Sequence, residues 1–279
     1  MKTILIVNAL LINEGSRQSA DLFIRNGRIE KIAASLPNAS ADLIIDAEGK
    51  ALLPGMIDCH VHCREPGLEQ KADLHSETRA AVAGGITSIM EMPNTQPAAI
   101  THKILEQKFA LAATRCVTNY SFHLGASNSN LDELLAIDPR NVCGVKLFMG
   151  ASTGNLLVDR AQTLEAIFGQ VDLPISVHCE DTQTIRENEK AAREKFGANI
   201  PISEHWKIRS EAACYQSTAL AVELATQHDA QMHVLHLTTA KELALFHTGP
   251  VSEKKNHRRS LPAPPLVLRR GLRDPRRTH

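Results

Sequence analysis

From residue 52 to about residue 255, short apolar runs alternate with longer amphipathic segments, and this rhythm more than anything else limits the folds open to the chain. Strand-like runs lie at 55–60, 87–92, 118–124, 144–149, 175–178 and 232–237. Helical stretches at 76–82, 103–114, 160–170, 182–195 and 211–227 separate most of them. Repeated β-then-α units predict an α/β protein with a parallel sheet covered by helices. About six such units are legible, whereas a closed eight-stranded barrel needs eight and typically about 250 residues. The expected fold is therefore an incomplete (β/α)8 TIM-type barrel.

The first 51 residues have a different texture. Ile4 to Leu11 is apolar, and alternating runs at 21–25 and 28–32 flank Asn26-Gly27. Asn-Gly between alternating runs signals a tight hairpin, because both turn residues adopt positive φ. With Leu43-Ile44-Ile45, these runs predict a small, partial β-sandwich-like module at 1–51, followed by the barrel at 52–255. Residues 256–279 form a third, anomalous segment rich in Arg and Pro that keeps neither the helical nor the strand period. It reads either as a basic tail or as coding DNA translated out of frame. The shortfall of strands before it favours the second.

Lys+Arg and Asp+Glu both number 31, so there is no net positive field of the kind nucleic acid or an anionic membrane calls for. The apolar run at the N-terminus breaks at Asn8, and no stretch approaches the roughly 18 apolar residues of a membrane span. These features point to the cytoplasm. The six cysteines are scattered without a CxxC pair, in a chain too large to depend on disulfides, and read as reduced thiols.

The segment Gly55-Met56-Ile57-Asp58-Cys59-His60-Val61-His62-Cys63-Arg64-Glu65-Pro66-Gly67 carries the most chemistry. On a strand, Asp58, His60 and His62 share one face while Cys59, Val61 and Cys63 share the other. Two imidazoles at i and i+2 at the C-terminal end of a first barrel strand can bind one metal ion. Gly144-Val145-Lys146-Leu147-Phe148 places a lone lysine in an otherwise apolar strand, where a charge is costly unless paired or neutralised. Carboxylation by CO2 is one neutralising chemistry, and its product can bridge two metals. His178 ends the fifth predicted strand. On the sixth, His233 and His236 would face opposite ways if extended, and His236 lies nearer the C-terminal end where barrel active sites sit.

The stretches LPGMIDCHVHCREPG, MPNT, CGVKLFMGASTGN, ISVHCED and MHVLHLTTAKE resemble the amidohydrolase superfamily and, within it, the dihydroorotase family. The resemblance runs from the N-terminus to about Lys255. It implies that His60 and His62 bind one Zn2+ and His178 and His236 a second, with carboxylated Lys146 as the bridge. It further implies that Arg64 and Asn94 hold a substrate carboxylate. The function implied is zinc-dependent interconversion of dihydroorotate and N-carbamoyl-aspartate in pyrimidine synthesis, on a small-molecule substrate, in a chain that can form homo-oligomers. Allantoinase or hydantoinase chemistry, or a non-catalytic partner protein of the same family, are the alternatives. The family's general-base aspartate lies beyond the sixth strand, and no matching segment exists here. Asp274 stands in the anomalous segment, outside any strand context, and is not given that role. Catalysis by this chain alone is therefore not expected.

Overall fold

The computed structural model describes residues 2–37, 40–150, 152 and 154–247. The anomalous segment at 256–279 lies outside them. The chain divides into two compact units, Met1–Met56 and Ile57–His279.

The first unit is one sheet. Strands β1 (Thr3–Asn13), β2 (Ser16–Arg25) and β3 (Arg28–Ala33) run antiparallel in sequence. β4 (Leu43–Asp46) and β5 (Ala51–Leu52) pair parallel with β1. The expected Asn26-Gly27 turn is present with φ of 52° and 76°. A second turn of the same kind, at Glu14-Gly15 with φ of 46° and 76°, folds β1 onto β2. Asp21, buried on β2, accepts from the backbone N–H groups of Asn8 and Leu36 and ties the sheet to its flanking loop.

The second unit holds six parallel strands in sequential order, a curled half-barrel. They are β6 (Met56–Val61), β7 (Ile86–Glu91), β8 (Asn119–Gly125), β9 (Gly144–Phe148), β10 (Ile175–His178) and β11 (Met232–Val234). Helices α1 (Leu74–Ala83), α2 (His102–Arg115), α3 (Leu131–Leu135), α4 (Ala161–Gln170), α5 (Thr182–Phe196), α6 (His205–Ile208) and α7 (Glu211–Gln227) occupy the connections. Short polar side chains start the long ones. Asp73 caps α1, Thr101 caps α2, Asp181 caps α5 and Ser210 caps α7, each accepting a backbone N–H of the first turn.

Strand alternation decides what faces the helices. Val145 and Leu147 of β9, Ile175 and Val177 of β10, and Phe122 and Leu124 of β8 join one apolar core with Leu164, Ile167, Phe168, Ala221 and Leu224. By the two-residue period, Lys146, Ser176, His178 and His123 turn to the opposite, inner face. Register aligns Lys146 with Ser176 on one side and with Gly125 on the other. The inner face is thus where polar side chains are concentrated.

The sixth strand is shorter than its sequence suggests. It ends at Val234, and His236 lies beyond it with φ of 34°, in the left-handed region. His233 and His236 are therefore separated by a turn of the backbone rather than by strand alternation.

Candidate active site at the strand ends

The C-terminal ends of β6, β10 and β11 bring four histidines into a contiguous group. His60 and His62 stand with their Nε2 atoms 3.2 Å apart. His178 Nδ1 and His236 Nε2 are 3.0 Å apart. The two pairs are neighbours, because the rings of His60 and His236 lie 5.3 Å from centroid to centroid.

These separations test whether a metal ion fits. Zinc binds imidazole nitrogen at about 2.0–2.1 Å in tetrahedral geometry, which puts two ligand nitrogens about 3.3 Å apart. The first pair matches that spacing, and the second is slightly tighter. Each pair alone supplies only two donors. Among the described residues, no group of three or more His, Cys, Asp or Glu side chains is arranged to hold a metal ion. Lys146 is close enough to His60, His62 and His236 for its charge to act on all three.

Electrostatics favour neutral rings at His60, His62 and His236. Burial pushes His60 down to about 3, with His62, His236 and Lys146 adding to the effect. Burial, then His178 and Lys146, pushes His236 down to about 4. His62 is lowered by burial, against a hydrogen bond to Asn94. Neutral imidazole is the form that ligates a metal. Lys146 is 1 % exposed, and burial brings its amine down to about 7. Its Nζ donates to the Leu147 carbonyl at 2.9 Å and lies 4.0 Å from the centre of the Phe148 ring. An amine substantially unprotonated near neutral pH is the form that can add to CO2.

The outer atoms of the two pairs differ. His62 Nδ1 meets Asn94 Oδ1 at 2.8 Å. Donating that N–H leaves the Nε2 lone pair of His62 facing His60. His178 Nε2 meets Glu180 Oε2 at 2.7 Å, and Arg209 in turn binds both carboxylate oxygens of Glu180. The Glu180–Arg209 contact joins residues 29 apart and had no signal in the sequence.

Arg64 and Asn94 belong to two loops that are locked together. Gln96 N donates to the Pro66 carbonyl at 2.9 Å. Gly67, at φ of 87°, passes so close to Gln96 that a Cβ there would stand 2.1 Å from its carbonyl oxygen. Arg64 itself adopts φ of 69°. The resemblance implies that Asn94 meets a substrate carboxylate, and its carbonyl oxygen is engaged by His62. Only its NH2 group faces the task of meeting a carboxylate. Beneath this loop, Lys108 Nζ lies 2.7 Å from Glu91 Oε2, both side chains being 1 % exposed, and it also donates to the Met92 carbonyl.

A cavity of about 240 Å³ is lined by Cys59, His123, Cys143, Ser176 and His233, among others. All six cysteines are free thiols, and none is exposed. No helix among the described residues is long and apolar enough to cross a membrane.

Residues 49–135 match the family model for dihydro-orotase-like proteins. The chain is 29% identical over 264 residues to a dihydroorotase of Methanosarcina acetivorans, covering 94% of this chain and 56% of that protein. It is 35% identical to a dihydroorotase of Solibacter usitatus, covering 88% of this chain and 56% of that one. The structure superimposes on the L-hydantoinase of Arthrobacter aurescens with a TM-score of 0.82 and 24% identity, over 88% of this chain and 55% of that chain. The chain thus spans just over half the length of the relatives it matches. Over the part they share, this chain is similar to dihydroorotases in sequence and to the L-hydantoinase in fold.

Proposed function

We propose that this chain carries the metal-binding half of a dihydroorotase-type active site, which interconverts dihydroorotate and N-carbamoyl-aspartate in pyrimidine synthesis. The observation that carries the reading is the pairing of four half-buried imidazoles at zinc-like nitrogen spacings, near one buried lysine. His60 and His62 would hold one zinc ion, His178 and His236 the other, and Lys146 as its carbamate would join both. Carboxylation forms an N–C bond between the neutral Lys146 amine and CO2 and releases one proton. Bound zinc ions would polarise the ring amide carbonyl and activate a water for attack on it.

The remaining steps belong to the chain's own side chains. Arg64 offers a planar fork suited to a carboxylate, and the Asn94 NH2 adds a directional donor beside it. That pairing favours a ring substrate bearing a carboxylate over hydantoin or dihydropyrimidine rings that lack one. The general base that the resemblance implies has no counterpart in the matched stretches, so turnover by this chain alone is expected to be slow. A small-molecule substrate, a cytoplasmic location and self-association fit the same reading.

Zinc titration of the purified chain, followed by an assay of dihydroorotate hydrolysis, tests the proposal. Binding of two zinc ions that is lost in His60→Ala and His178→Ala variants is the expected result. Absence of zinc binding at micromolar concentrations would sink it. Turnover at rates typical of enzymes would instead show that the proton shuttle is present after all.

A further inference from the structure

We propose that Glu180 and Arg209 form a positioning pair that fixes His178 as its Nε2–H tautomer and so presents Nδ1 toward His236. The consequence for zinc affinity rests on the two-zinc reading above, whereas the tautomer itself does not.

Glu180 immediately follows Cys179 at the end of β10 and is 7 % exposed. A carboxylate that deep in the fold is costly unless its oxygens are paired. Here both are. Oε2 accepts from His178 Nε2 at 2.7 Å, and Arg209 grips Oε1 through Nε at 2.7 Å and Oε2 through Nη2. With Nε2–H directed at the Glu180 carboxylate, the lone pair of His178 resides on Nδ1, the atom 3.0 Å from His236 Nε2. A carboxylate behind a ligating histidine both orients the ring and makes it a stronger donor.

Arg209 does not reach this point by chance of a flexible side chain. It sits between α6 and α7, and the backbone on either side of it is pinned. Asn188 of α5 donates to the Ile208 carbonyl at 3.1 Å and to Ser210 Oγ at 3.3 Å. Ser210 then caps α7. Asp181, the next residue after Glu180, caps α5 and donates its own N–H to the Ala213 carbonyl. The segment carrying Arg209 is thus held by α5, and α7 by the strand end, besides the ion pair. On its other side, the Glu180 backbone rests against Gly150, where a Cβ would stand 1.7 Å from the Glu180 carbonyl oxygen.

The test uses the full 279-residue chain with 15N-labelled histidine rings, in the metal-free state at about pH 8. Ring nitrogen chemical shifts are expected to show His178 as a single tautomer protonated at Nε2. Glu180→Ala should mix the two tautomers, while Glu180→Gln, which keeps a carbonyl oxygen for the Nε2–H, should largely preserve the wild-type form. In zinc competition with a chelator, Glu180→Ala should weaken one of the two ions roughly 10- to 100-fold and leave the other unchanged. Arg209→Met gives the same readouts with a partly exposed residue should Glu180→Ala fail to fold. An unchanged His178 tautomer in both Glu180→Ala and Arg209→Met would overturn the proposal. A wild-type chain that binds no zinc, yet loses its single His178 tautomer in Glu180→Ala, would uphold the positioning pair and reject the zinc reading.

Discussion

His60 and His62 stand two residues apart at the end of one strand, whereas His178 and His236 come from different strands and lie 58 residues apart. The first pair is set by local geometry, and a neutral amide, Asn94, is enough to hold its outer nitrogen. The second pair meets only when β10 and β11 are correctly aligned. It is backed by an ion pair whose cation arrives from the loop before α7. Where the backbone already aims the rings, a weak support suffices. Where tertiary structure must aim them, the support is charged and anchored on several sides.

The largest disturbance should come from Lys146, which the two-zinc reading places between both halves. Lys146→Met is expected to lower zinc affinity at both pairs by more than the roughly 100-fold that loss of an outer-shell partner brings. Metal content after gel filtration would show it, and loss at one pair alone would mean the halves do not share Lys146.

The next two substitutions probe each half separately. Lys108→Met leaves Glu91 buried without its cation beneath the Asn94 loop, which should cost about 3–5 kcal/mol in a denaturant melt. The contact is close but poorly directed, since neither Glu91 oxygen makes a well-formed hydrogen bond, so the lower end is expected. Gly150→Ala pushes on the Glu180 backbone instead and should cost about 1–3 kcal/mol. If its effect on zinc binding falls on the His60–His62 pair, the division into two independently supported halves is wrong. The smallest change is expected for Asn94→Ala, about tenfold in affinity for one zinc ion. A loss in Asn94→Ala as large as in Glu180→Ala would erase the contrast between neutral and charged support.

Much of this arrangement could be read from the chain itself, for physical reasons that differ by element. β9 and β10 are short apolar runs buried on the helix side, so a lone lysine or a terminal histidine in them stands out. Asp181 and Ser210 announce α5 and α7 because short polar side chains satisfy the first free N–H groups. Other features leave no local trace. α3 and α6, of five and four residues, owe their existence to packing rather than to propensity. The early end of β11 follows from the left-handed backbone at His236, a conformation that no pattern of apolar residues signals. The Glu180–Arg209 contact is invisible for the same reason, since two charges 29 residues apart say nothing of their meeting until the α5–α7 excursion is folded.

The backbone lock between Gly67 and Gln96 bears on how such a site can vary. Arg64 lies three residues before one side of the lock, and Asn94 two residues before the other. A shift in either loop therefore moves Arg64, a proposed substrate contact, together with Asn94, the support of His62. Selection acting on substrate choice would have to change both loops in concert, and inherited substitutions in 64–67 should be matched by substitutions in 93–97. A library diversified at 64–67 alone is expected to yield few members that still bind zinc, whereas one diversified across both loops should recover altered specificities at a higher rate.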